Sequence, residues 1–315
     1  MTAYPAPLAA LPSDALVIQE VAPRDGLQIE PRFVETAAKI AWIDALSEAG
    51  FPRIEVSSFV SPRAVPALRD AAEVFAGIRR RPGTIYVALV PNLKGAERAL
   101  AAGADEINLV MSASETHNRA NMGLSCAASL AGFAEIAAAA RGTGTRINAT
   151  VATAFGCPFE GAQGPEKVGG LVARYRALGV DGVTLADTTG MANPRGVADL
   201  VARTLAQVPA ERLTLHFHNT RGAGIANVLA AHAAGARRFD AALGGLGGCP
   251  FAPGATGNVC TEDLASLCDE MGLATGLDLD RLIALARALP GLVGHAVPGQ
   301  VAVAGRPRDL HPVPA

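Results

Sequence analysis

Eight short runs rich in β-branched and apolar residues recur along the chain, separated by Ala-rich stretches of helical periodicity. The runs are ALVIQEVAPRDG, RIEVSSFVS, TIYVALVPN, EINLVMSAS, RINATVATAFG, GVTLADTTG, RLTLHFHNT and RRFDAALGGLGG. Intervening segments such as VETAAKIAWIDALSEAG and PEKVGGLVARYRALG read as helices. The second of these opens with Pro165 and Glu166, a favourable helix start, and Gly179 follows its last periodic residue. Strand–helix alternation predicts a parallel sheet. Eight repeats within about 290 residues match a closed (β/α)8, or TIM, barrel. The barrel is expected over residues 16 to 290, as a single domain with a short C-terminal extension. An open doubly wound sheet is the alternative, but the nucleotide-binding signals it often carries are missing: there is no G-x-G-x-x-G and no Gly-Lys dipeptide.

Charge and composition narrow the partners. The chain is half hydrophobic and 18% charged with a net charge of −2, which gives no reason to expect nucleic acid or a membrane surface. No apolar run reaches the length of a membrane span, roughly 18 residues. The opening MTAYPAPLAALPSDAL lacks the basic and apolar regions of a secretory signal. Five cysteines, with no C-x-x-C, fit free thiols in a reducing cytoplasm better than a disulfide framework.

In barrels of this kind chemistry lies at the C-terminal ends of the strands. Four of the runs bring acids, histidines or an arginine there. The first ends in Arg24 and Asp25, the second carries Glu55 and Ser57 on one face, and the sixth ends in Asp187. The seventh places His216 and His218 on one face of a strand, with Leu215 and Phe217 on the other. Two imidazoles and a carboxylate such as Asp25 make a mixed nitrogen and oxygen set suited to a divalent ion with open positions. Such an ion would polarise a substrate oxygen. Arg24 beside it offers a fixed cation for a developing enolate or for a carboxylate. Each residue also has a structural reading: a core histidine, an Arg24–Asp25 ion pair, a buried polar layer at Glu55, a helix cap at Asp187.

The stretch GGLGGCPFAPGATGN, residues 244 to 258, holds six glycines and two prolines and reads as a hinged loop over the barrel mouth. Cys249 at its centre would be a thiol above a cationic site, suited to proton transfer, or else an inert small side chain. Asn258 at its end offers a neutral oxygen ligand or a cap. Lysine occurs only at Lys39, Lys94 and Lys167, against 24 arginines. None falls inside the barrel, where a Schiff-base aldolase would need one, so a metal would have to do the electrophilic work. No G-x-S-x-G elbow offers a serine hydrolase.

Together VAPRDGLQ, EVSSFVSP, VPNLKGAERALAAGADE, GCPFEG, ADTTG, HFHNT and GLGGCPFAPGATGNVCTED resemble the 3-hydroxy-3-methylglutaryl-CoA (HMG-CoA) lyase family of metal-dependent barrel lyases. The resemblance implies Mg2+ or Mn2+ held by Asp25, His216, His218 and Asn258. It implies Arg24 steadying the thioester enolate, Cys249 in proton transfer, and Glu55 and Asp187 in support. The implied reaction is retro-Claisen cleavage of HMG-CoA, or a close 3-hydroxy-acyl-CoA, to acetyl-CoA and a 3-oxo acid, acetoacetate for the parent substrate. Asn92 and Lys94 are candidates for CoA contact, and a homodimer is what relatives suggest. The chain departs from the family pattern after the histidines, with Asn219, Thr220, Arg221 and Gly222 where Asp-Thr-Tyr-Gly is usual. That puts the orientation of the histidines and the identity of the acyl group in question. Two rivals are an acetyl-CoA-dependent synthase acting on a 2-oxo acid and a non-catalytic acyl-CoA-binding barrel. The short tail AVAGRPRDLHPVPA disfavours the synthase, and retention of every ligand disfavours the binding protein.

Overall fold

The computed structural model describes residues 15–248 and 257–310. All eight runs form strands: β1 Val17–Glu20, β2 Arg53–Ser58, β3 Ile85–Val90, β4 Glu106–Ser112, β5 Arg146–Ala152, β6 Gly182–Asp187, β7 Leu213–Phe217 and β8 Arg238–Ala241. They are ordered β1 to β8 in a closed parallel barrel, sealed where Val17 and Ile18 pair with Arg238 and Phe239. Among the described residues no single helix is long and apolar enough to cross a membrane.

Several helices around the barrel start where the sequence supplies a cap, while the first two start without one. Helix α1 is Thr36–Glu48, and α2 is Ala71–Gly77. Helix α3, Leu93–Ala101, is capped by Asn92, whose Oδ1 accepts from the Gly95 amide at 2.9 Å. Ser114 and Ser125 cap α4, Glu115–Met122, and α5, Cys126–Ala140. Pro165 opens α6, Pro165–Ala177, and Asn193 caps α7, Pro194–Leu205. The α6 reading holds within two residues, and Gly179, with φ +80°, follows the helix.

The wall of the barrel has two unlike faces. Outward side chains such as Ile18, Ile54, Ile107, Leu185, Leu215 and Phe239 join one apolar cluster with the helices. The inward apolar contribution is a separate small group, Val17, Ile85 and Val87. Much of the remaining interior is polar and hydrogen-bonded. Asn148 Nδ2 donates to Asn108 Oδ1 at 3.0 Å and to Thr184 Oγ1 at 2.9 Å, and Thr150 Oγ1 donates to Asn108 Oδ1 at 2.8 Å. Arg53, buried, pairs with Glu106. Barrel interiors are more often filled by branched aliphatic side chains.

Two local features depart from the sequence reading. A register shift between Glu55 and Ser57 breaks the alternation of β2, so that Ser57 pairs with Ala88 and Ser58 with Leu89. Glu55 and Ser57 are therefore not related by simple two-residue alternation. The segment Ala22–Gly26 is one widened helical turn in which the amides of Asp25 and Gly26 reach back to the Val21 carbonyl at 2.7 and 3.4 Å. Such turns recur at functional sites.

Candidate active site

That turn carries Arg24 and Asp25 to the C-terminal mouth. Arg24 Nη1 donates to Asp25 Oδ1 at 2.5 Å, and Arg24 Nε lies 3.7 Å from Glu55 Oε2. His216 sits near the end of β7, where Ala186 is its partner across the sheet, and His218 lies one residue beyond the strand. Leu215 and Phe217 face the apolar shell, as alternation requires. The two histidines converge until His218 Nε2 is 3.1 Å from His216 Nε2. Ligand atoms of Asp25, His216 and His218 all lie within 4.8 Å of one another. Nitrogens this close share a proton or a cation.

Asn258 completes the group. Its backbone bridges His218, and its Nδ2 donates to Asp25 Oδ2 at 2.7 Å and to the Leu246 carbonyl at 3.0 Å. Both partners are acceptors, which fixes the orientation of the amide. Asn258 Oδ1 is consequently left buried without a hydrogen-bond partner. An orphaned amide oxygen beside a carboxylate and two imidazoles fits a divalent cation that favours oxygen and nitrogen. The wall behind it is tight. At Gly247, with φ +105°, a Cβ would stand 2.6 Å from Asn258 Nδ2, so only glycine lets the chain pass.

Electrostatics follow from these contacts. Burial opposes ionisation of Asp25, but the Arg24 guanidinium, then His216 and His218, and the Asn258 bond outweigh it and hold the carboxyl below its ordinary range. For Glu55 burial wins: Arg24 and the 3.0 Å bond from Asn108 Nδ2 offset it only in part, and its pKa is raised. Burial also pushes Asp187 up to about 6, against amide bonds from Met191 and Ala192. Asp187 Oδ1 accepts those two amides at 2.8 and 3.0 Å, while Oδ2 is buried without a hydrogen-bond partner. Asp187 thus shapes the loop ahead of α7, and the helix cap itself is Asn193.

Several expectations change. The acceptor that orients His216 is Asp240, whose Oδ2 takes the Nδ1 hydrogen bond at 3.1 Å. Burial disfavours charge on His216, yet the Asp240 bond and charge, reinforced by Asp25 and Glu55, raise its pKa. Asn219 is engaged elsewhere, with its Oδ1 accepting from the Gly224 amide at 3.0 Å, at the start of α8, Gly224–Ala233. Arg221 is exposed and ties the β6 loop down, donating to the Thr189 and Gly190 carbonyls at 2.9 and 2.8 Å. Asn92 and Lys94 lie on the rim after β3, but Lys94 stands exposed in the first turn of α3 rather than in a loop. Cys249 lies outside the described residues. The only sequence signal for Asp240 is an acid that alternates with Arg238 on one face of the eighth strand.

A family model described as HMGL-like matches residues 15–289. The chain belongs to the HMGL-like family. Among curated members it is 44% identical over 303 residues to the (R)-citramalyl-CoA lyase of Chloroflexus aurantiacus, covering 90% of this chain and 96% of that one. It is 42% identical over 285 residues to the hydroxymethylglutaryl-CoA lyase YngG of Bacillus subtilis, covering 90% and 95%. A solved HMG-CoA lyase from Acinetobacter baumannii, in complex with coenzyme A and 3-methylmalate, superposes with a TM-score of 0.94 at 60% identity over 100% of both chains. The HMGL-like membership and the closed barrel bear out the resemblance read from the motifs.

Proposed function

We propose that this chain is a carbon–carbon lyase that cleaves a 3-hydroxy-acyl-CoA thioester, with HMG-CoA as the parent substrate, to acetyl-CoA and acetoacetate. The observation that carries the reading is the convergence of Asp25, His216 and His218 within 4.8 Å, with Arg24 bonded to the same carboxylate. Asp25, His216, His218 and Asn258 would hold the ion, Mg2+ or Mn2+. When bound, it would supply a Lewis acid to substrate oxygens.

The chain's own residues do the rest. A base removes the proton of the C3 hydroxyl, the C2–C3 bond breaks, and its electron pair moves onto C2 of the departing thioester enolate. Arg24, held between Asp25 and Glu55, would meet the negative charge that develops on that enolate oxygen. Asp187, near neutral pKa and with one unpartnered oxygen, supports proton movement at the same rim. Protonation of C2 completes acetyl-CoA, and Cys249 is the proposed donor. The ends of its loop are anchored at the site: Gly247 lies against Asn258, and the Gly257 carbonyl accepts from the Asn219 amide at 3.0 Å. Asn92 and Lys94 are proposed for CoA contact, Lys94 through its exposed ammonium.

A citramalyl thioester is the second substrate reading, favoured by the 44% identical relative that bears that name. Metal-depleted protein should release acetyl-CoA from either thioester only after Mg2+ or Mn2+ is restored, and the ratio of the two kcat/KM values ranks the substrates. A synthase would instead join acetyl-CoA to a 2-oxo acid with release of free CoA and would cleave neither thioester. A binding protein would turn over nothing, and either outcome sinks the lyase reading.

A further inference from the structure

From Asp240 the hydrogen bonds continue across neighbouring strands inside the barrel. Asp240 Oδ1 accepts from Gln19 Nε2 at 3.1 Å, and Gln19 Oε1 accepts from Arg53 Nε at 2.7 Å. Arg53 pairs through Nη2 with Glu106, whose other oxygen lies 4.0 Å from Arg146 Nε. Gln19, Arg53, Glu106 and Asp240 are all buried. Strand register holds the line in place: Gln19 is the partner of Arg53 on one side and of Asp240 on the other.

The line has a direction. A guanidinium has no acceptor, so Arg53 can only donate. That turns the Gln19 carbonyl toward Arg53 and its NH2 toward Asp240. A carboxylate only accepts: its Oδ1 takes the Gln19 donor and its Oδ2 faces His216 Nδ1. A proton held at Nδ1 leaves Nε2 bare and aimed at His218 and Asp25. An aliphatic pair at positions 19 and 53 would fill this layer without the cost of burying a guanidinium. Packing alone therefore does not account for these residues.

We propose that Gln19, anchored by the buried Arg53, is a positioning residue that locks Asp240 and through it the tautomer and angle of His216. The inference rests on the reading of Asp25, His216 and His218 as ligands. Gln19→Leu removes both bonds at similar volume. Gln19→Glu keeps an acceptor for Arg53 and presents an acceptor, not a donor, to Asp240. Metal-depleted protein is titrated with Co2+ alone and followed by its visible ligand-field spectrum, and imidazole nitrogen resonances report the His216 tautomer.

In both variants the Co2+ dissociation constant should rise about 10- to 100-fold, the spectrum should shift, and kcat should fall more than KM rises. Wild-type affinity and spectrum in folded Gln19→Glu overturn the proposal, and this variant carries the test if Gln19→Leu fails to fold. Should the wild type bind no Co2+, the metal reading and this inference fall together. If the wild type binds Co2+, Asp25→Ala abolishes it and the Gln19 variants match wild type, only this inference falls.

Discussion

Along β2, Ile54 and Val56 point into the apolar shell at 0% and 1% exposure, while Arg53 and Glu55, which alternate with them, are buried yet ionisable. The outward residues each contribute about 1.5–3 kcal/mol by leaving water. The inward pairs gain little net stability, because desolvation cancels most of their attraction. One strand thus divides its residues by parity. Stability comes from the outer face, and the inner face is free to hold polar groups in fixed directions, which a ligand set requires.

The comparison breaks if inner and outer substitutions behave alike. The largest expected effect is at His218→Ala: a loss of about 10^3-fold in kcat/KM, since several kcal/mol of metal assistance disappears, with the melting temperature of the metal-free protein little changed. Next, Arg24→Met should lower kcat by about 10^2- to 10^3-fold with a smaller change in KM, measured on HMG-CoA. Third, pH should act on the inner face with opposite signs in the two metal states. His216 has a raised pKa, so in metal-free protein its charge stabilises the fold below the ordinary histidine pKa and that contribution is lost as pH rises through the raised value. A cation needs the neutral ring, so Co2+ affinity should climb about tenfold per pH unit up to the same value and then level off. Melting curves with and without Co2+ at several pH values check both slopes; parallel slopes would remove His216 from the ligand set. The smallest effect belongs to the outer face: Ile54→Val should cost about 0.5–1.5 kcal/mol in denaturant unfolding and leave Co2+ affinity unchanged.

Much of this was written in the chain, and what was not has physical reasons. All eight strands were legible because buried parallel strands read as short apolar runs between helices. The pairing of His216 with His218 followed from the two-residue period, and the 3.1 Å approach of their rings bears it out. The widened turn at Ala22–Gly26 and the slip after Glu55 were not legible, since both are set by how neighbouring strands dock. The link between Asp240, Gln19 and Arg53 is not legible, because a polar residue within a strand carries no mark of what lies across the barrel. The departures at Asn219 and Arg221 drew attention from the sequence side, yet one secures a helix start and the other ties down a loop.

Asp25 and Asn258 touch although 233 positions separate them along the chain. With Asp25 and Asn258 among the proposed ligands, a growing polypeptide would have no complete set of donors to offer an ion until nearly the whole ring had emerged from the ribosome. On that ligand set topology alone would disfavour premature capture of a wrong cation by a half-made protein, and affinity for metal would be a late signature of correct closure.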